Sequence, residues 1–307
     1  MNEKIKIIIA GGSGLIGSRL VDYLPRDKFE ICILSRREHN SHDNVTYSKW
    51  DPDKMEMDDS ILNEVDAIVN LAGAGIADKK WTNERKELLV TSRVNSSRTL
   101  ESYVSKLSKK PKLYFGASGI GMYGHRGDDI MTTDSKRGSG FLADVTEAWE
   151  VANKKLEVHF KRHVILRIGI VLSTKGGALK EILKPANAGV YGYFGNGSAY
   201  YSWIHIDDIC KIIAESINND AFNGIYNGTA PDPVTIYNLV KTVKAVKNTF
   251  GVLMPVPKFG LKIAMGEMAD MLFNSTRVIP NRLNAQGFKF DYVELDKALT
   301  HLMDSKV

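Results

Sequence analysis

Residues 11–17 read Gly11-Gly12-Ser13-Gly14-Leu15-Ile16-Gly17 and contain both G-x-G-x-x-G and G-x-x-G-x-x-G, directly after an Ile-rich run and at the start of a helical pattern. Glycines at this spacing permit a tight turn, let a pyrophosphate approach the backbone, and let the helix pack closely on the strand before it. The helix N-terminus then offers unpaired N–H groups and a partial positive charge to the phosphates. Gly12 to Gly17 also has Walker A spacing, but Ser18-Arg19 stands where Lys-Ser/Thr is required. Nineteen positions after Gly17, at the end of the next strand-like run, the chain reads Ser35-Arg36-Arg37. An acidic residue there would hold the ribose 2′-hydroxyl of NAD, whereas a guanidinium pairs with a 2′-phosphate. The expected cofactor is NADP(H).

These residues need a scaffold, and the hydrophobic pattern supplies one. Residues 4–10 form an Ile-rich run that ends at Gly11-Gly12, as in a strand buried on both faces of a parallel sheet. Leu15, Ile16, Leu20 and Leu24 recur at near-helical spacing until Pro25 stops them. Further strands are expected at 30–34, 45–50, 67–71, 112–115 and 164–172, with helices at 83–105 and 142–160. The alternation predicts an α/β fold, a Rossmann-type doubly wound parallel sheet with right-handed crossovers. After residue 173 a Gly-rich stretch reads as loop and site rim, residues 202–219 restore a strand and a helix capped by Asp207 or Asp208, and the Pro-containing remainder reads as helical. We therefore expect a cofactor domain over 1–172, with 202–229 returning to it, and a smaller, mainly helical substrate lobe from 173–201 and 230–307.

Composition sets bounds on function. The 307 residues carry a net charge of +5, and the densest basic cluster, Lys106, Lys109, Lys110 and Lys112, is a short interrupted stretch, which argues against a nucleic-acid partner. The two cysteines, Cys32 and Cys210, cannot build a disulfide framework or a Cys-based zinc site. No apolar stretch approaches the roughly 20 residues of a membrane span, and the N-terminal run is too short for a secretory signal. We expect a cytoplasmic monomer or homodimer that meets a small-molecule substrate and neither membrane nor nucleic acid.

The chain resembles the short-chain dehydrogenase/reductase superfamily in its extended or atypical branch, the NAD-dependent epimerase/dehydratase type, and within it a subfamily of epimerase family proteins. The resemblance rests on residues 11–17, Leu34-Ser35-Arg36, Asn70-Leu71-Ala72-Gly73, Trp81, Ser92-Arg93-Val94, residues 167–172, Gly176-Gly177, residues 203–208, Pro255-Val256-Pro257, Arg277-Val278-Ile279-Pro280 and Gly287-Phe288. It implies that Leu71, Ala72 and Gly73 line the cofactor, that Arg93 reaches it from the next helix, and that Ile170 lies near the nicotinamide. It also implies a Tyr-x-x-x-Lys pair with a nearby Ser that polarises the substrate oxygen. Ser118 fills the serine position, but Phe141 and Val145 stand where the Tyr and Lys would be. Tyr123 and Lys80 are the substitute donors to consider, with His205 a structural hydrogen-bonder. The Gly116-x-Ser118 sequence lacks the following glycine of a hydrolase nucleophile elbow, and the seven histidines show no His-Glu-x-x-His metal pattern. Two functions follow as alternatives: an NADP(H)-dependent oxidoreductase or epimerase/dehydratase-like enzyme with an atypical site acting on a small polar substrate, or a non-catalytic NADP(H)-binding sensor or interaction protein.

Overall fold

The computed structural model describes residues 3–37, 40–41 and 45–304. Its first half runs β1 (Ile5–Ala10), α1 (Leu15–Tyr23), β2 (Phe29–Ser35), β3 (Val45–Asp51), β4 (Glu56–Met57), β5 (Ala67–Asn70), α2 (Asn83–Val104), β6 (Leu113–Gly119), β7 (Ile130–Met131), α3 (Phe141–Lys154) and β8 (Arg162–Ile168). The second half runs β9 (Ile170–Leu172), α4 (Gly177–Ala186), β10 (Val190–Phe194), β11 (Tyr200–Tyr201), β12 (Trp203–His205), α5 (Ile206–Asn218), β13 (Gly224–Gly228), β14 (Val234–Thr235) and α6 (Ile236–Lys247). It closes with β15 (Val252–Val256), α7 (Lys258–Met265), β16 (Arg277–Val278), α8 (Asn281–Ala285) and α9 (Leu295–Asp304).

The main sheet has eight strands in the order β13-β8-β6-β5-β1-β2-β3-β4. All neighbours are parallel except the short β3–β4 pair, which is a hairpin that the alternation did not reveal. The strand order reverses between β1 and β5, and the carboxyl ends of these two strands are where a doubly wound sheet opens a crevice for a ligand. The apolar run of β1 is explained by its two faces. Ile7 and Ile9 enter one hydrophobic cluster, with Leu20, Phe115 and Ile209, while Ile8 and Ala10 enter another, with Leu100, Tyr114 and Trp50.

The expected strand over 164–172 is two strands. A Cβ at Gly169 would lie 2.4 Å from the Ser202 carbonyl oxygen, so the chain passes too close to its neighbour for a side chain. There it leaves the main sheet, and β9 pairs instead with β12. Likewise the helix expected over 142–160 ends at Lys154 and continues as a single tight turn, Glu157–His159. A separate cluster built from Leu172, Tyr191, Trp203, Ile236, Leu239 and Leu299 holds the C-terminal elements together. The terminal segment spans both cores: Leu283 and Phe288 join the sheet's cluster, whereas Leu295 to Leu302 join the second one.

Candidate functional site

The glycine loop connects β1 to α1 at the crevice. Gly11 has φ +81°, and a Cβ on it would lie 2.8 Å from the carbonyl carbon of Leu71, so the β1 and β5 strand ends touch through backbone alone. A Cβ at Gly17 would lie 2.2 Å from the Gly11 oxygen, which is why the first turn of α1 can sit directly on the loop. No side chain caps α1 at Gly14. The first-turn N–H groups beside exposed Ser13 and half-buried Leu15 and Ile16 are therefore left for an anion.

Two further features suit a dinucleotide. At the end of β2 the Ser35 hydroxyl accepts from the Arg37 N–H at 3.1 Å, and the Arg36 and Arg37 side chains are exposed beyond it. On α2, Arg93 is only 7% exposed. Its Nη1 donates to the Leu89 carbonyl at 2.8 Å and it lies over the Trp149 ring, yet its Nε has no partner among the described residues. Burial, and then the nearby Arg85, push its guanidinium pKa down to about 10. Among the described residues this buried cation has no carboxylate partner, and it packs against the backbone of Gly73, an arrangement that fits a phosphate or ribose oxygen. Asn70 shapes the neighbouring turn by accepting from the Ala72 N–H at 3.2 Å, while its amide donates to Ser96 and Tyr114. Leu71 and Ala72 stay half-buried at the crevice. Ile170 is half-buried on β9, beside Trp203 of β12.

The hydroxyls of Ser118 and Tyr123 are turned inward. Ser118, 3% exposed, donates to Glu150 Oε1 at 2.6 Å. Arg167 grips both carboxylate oxygens of Glu150, at 2.8 and 2.9 Å, and donates to the Tyr123 hydroxyl at 3.0 Å. Tyr123, 0% exposed, donates in turn to Asn227 Oδ1 at 2.7 Å, and burial raises its pKa. The network links β6, α3, β8 and β13. Glu150 escaped the sequence reading, although a signal was present. It shares an inward i, i+3, i+7, i+10 stripe of α3 with Ala143, Thr146 and Asn153, and an acid on such a stripe demands a buried cation.

The positions of the missing Tyr and Lys differ from each other. Val145 is core, 1% exposed. Phe141, the first residue of α3, is half-buried and meets Trp81 edge to face with centroids 4.9 Å apart. Trp81 is fixed by its indole N–H, which donates to the Ile76 carbonyl at 2.9 Å. The Lys86 ammonium lies 5.4 Å from the Phe141 centroid and pairs with Glu267 of the C-terminal part, while Lys80 is exposed on the loop.

His205, not Asp207 or Asp208, caps α5: its Nδ1 accepts from the Asp207 N–H at 3.0 Å. That fixes its proton on Nε2, which faces His301 Nδ1 at 3.1 Å. These two residues and Asp207 form the one His/Asp cluster with ligand spacing among the described residues. The Asp207 N–H and the ring-to-ring hydrogen bond already occupy the imidazole lone pairs of His205 Nδ1 and His301 Nδ1, and the Asp207 carboxylate is paired with Arg19 at 2.6 Å. Asp208 instead accepts from the Asp291 and Tyr292 N–H groups.

Residues 7–227 match the NAD dependent epimerase/dehydratase family. The chain belongs to that family. Residues 256–302 match a domain of unknown function, DUF1731. Among family relatives, the epimerase family protein SH2119 of Staphylococcus haemolyticus is 34% identical over 306 residues, covering 98% of this chain and 99% of the relative. Among solved structures, the human epimerase family protein SDR39U1 with NADPH superposes with TM-score 0.86 at 26% identity, covering 98% of this chain and 99% of that one. A nucleoside-diphosphate sugar epimerase from Corynebacterium glutamicum superposes with TM-score 0.79 at 29% identity, covering 98% of this chain and 58% of that one. No helix of the described residues is long and apolar enough to cross a membrane.

Proposed function

We propose that the protein is an NADP(H)-dependent oxidoreductase or epimerase-like enzyme that works on a small molecule in the crevice between β1 and β5. The observation that carries the reading is the uncapped α1 N-terminus behind a glycine loop that tolerates no side chain at Gly11 or Gly17. When bound, the nicotinamide cofactor would supply or accept a hydride. Gly11, Gly12, Ser13, Gly14, Leu15, Ile16 and Gly17 would hold its pyrophosphate, Ser35, Arg36 and Arg37 its 2′-phosphate, and Arg93 an oxygen between them. Leu71, Ala72, Gly73 and Ile170 would line it. The NADPH-containing human relative supports the choice of NADP(H). The Ser118–Glu150–Arg167–Tyr123 network would brace β6, α3 and β8, with Ser118 and Tyr123 held in place rather than presented to substrate.

The test is a fluorescence titration with NADPH and NADH. NADPH should bind with clear preference, and Arg36→Ala should weaken it about tenfold to a hundredfold, as expected for loss of a charge-assisted hydrogen-bond pair of about 1.5–3 kcal/mol. Binding of neither nucleotide would remove the proposal. One observation favours a second reading, a non-catalytic NADP(H) sensor: Phe141 and Val145 supply no proton donor. Turnover of any substrate that is abolished by changing a crevice residue would eliminate it.

A further inference from the structure

Among the described residues, the four most exposed large apolar side chains are Phe250, Val252, Phe259 and Ile263, all within fourteen positions of one another. Phe250 is fully exposed on the turn after α6, where Asn248 ends the helix in the left-handed conformation at φ +46°. On β15, Leu253 packs on the C-terminal cluster, while Val252 and Met254 point the other way into solvent, Val252 beside Val190 of β10. α7 buries none of its residues. Its Lys258 and Lys262 pair with Asp270, and Phe259 and Ile263, one turn apart, are left outward. Apolar side chains gathered in this way mark a surface that meets a partner.

Charge identifies the partner. Between Asp232 and Glu267 the chain carries five lysines and no acid. Among the described residues Asp270 is the one carboxylate in an ion pair with any of them, and it serves Lys258 and Lys262 together. Lys241 and Lys244 of α6 line an open hollow of about 480 Å³ with Phe250, so two ammonium groups stand beside the most exposed ring. A second copy of the chain seated on this face would bring lysines against lysines. A bilayer with anionic headgroups answers both features: the rings enter the acyl boundary, and the lysines lay their stems along it with the ammonium groups at the phosphates.

We propose that this face docks the protein peripherally on an anionic lipid bilayer. The contact needs no spanning helix, and it departs from the expectation, drawn from sequence, of no membrane partner. It rests on no part of the nucleotide reading.

The test is co-sedimentation of the full chain with sucrose-loaded vesicles, either phosphatidylcholine alone or phosphatidylcholine and phosphatidylglycerol in about equal parts. The wild type should bind the anionic vesicles at least tenfold more tightly than the neutral ones, and lose most of that binding in about 0.5 M NaCl. The double variants Phe250→Ser/Phe259→Ser and Lys241→Glu/Lys244→Glu should each bind the anionic vesicles at least tenfold more weakly. Their NADPH affinity should change less than twofold, which shows that the fold is kept; if one variant fails to fold, the other decides. Binding to neither vesicle, equal binding to both, or variants that bind as well as the wild type would overturn the proposal. Absence of vesicle binding together with a dimer in analytical ultracentrifugation that Phe250→Ser/Phe259→Ser dissociates would overturn it in favour of a second copy.

Discussion

Single residues carry the sharpest tests. Glu150 and Arg167 are 13% and 9% exposed at the side chain and paired through two oxygens, so removing one charge strands the other in a dry environment. Glu150→Ala should cost about 3–5 kcal/mol, the usual penalty for an unpaired buried ion, read from urea unfolding midpoints. Ser118→Ala should cost no more than about 1–3 kcal/mol, since it removes one hydrogen bond to that carboxylate and leaves the ion pair intact. A reversed order would show that Ser118, not the ion pair, holds the network together. At Gly17 the added methyl of Gly17→Ala would meet the Gly11 oxygen at 2.2 Å. NADPH affinity should fall at least tenfold while the circular dichroism spectrum stays native, because the first turn of α1 must lift away from the loop. The motif glycines were legible for the same steric reason. The partner of Ser118 was not, because Glu150 lies 32 residues on and only the packing of α3 on β6 brings it near.

At the level of elements, α5 offers a pH test. Burial lowers the His205 pKa from its ordinary 6.5 to about 4, so His205 gives stability that is complete above pH 6.5 and is lost as pH falls toward 4. Burial raises Asp208 from 3.8 to about 6, so Asp208 works in the opposite sense, adding stability as pH falls from 6 toward 4. Each effect is at most about 3 kcal/mol at about 1.4 kcal/mol per unit, and between pH 6 and 4 they nearly cancel. His205→Asn keeps a capping acceptor but removes one titration. The variant should gain stability relative to the wild type as pH drops through that window, measured by denaturant melts at pH 7 and 4.5. A parallel pH dependence in both proteins would contradict the assignment. The sequence placed a cap at this helix start but chose the wrong residue. Asp207 is instead held by Arg19, 188 positions earlier, which frees His205 for the cap.

For the whole molecule, ligand linkage is the natural readout. At a hundredfold excess over its dissociation constant, NADPH should add about 2.7 kcal/mol, or a rise of about 4 °C in Tm for a chain of this size. The Lys86 to Glu267 pair reaches from α2 to the C-terminal part, but its Glu267 side chain is 66% exposed. Glu267→Ala should therefore leave the Tm of the free protein within about 1 °C in the same thermal scan. A larger drop would mean that this contact, and not the shared cluster around Trp203 and Leu299, fastens the C-terminal elements.

The repeating strand and helix, the glycine loop and the arginines after β2 were determined by local sequence, because hydrophobic period, steric room and charge at a strand end act over a few residues. Tertiary structure decided which strands neighbour one another and where the chain breaks at Gly169. It also turned Ser118 and Tyr123 into the protein and brought Trp81 to Phe141, 60 positions apart. These outcomes depend on contacts between distant segments, which no local pattern encodes, and they exist only once the sheet has closed its helices over both faces.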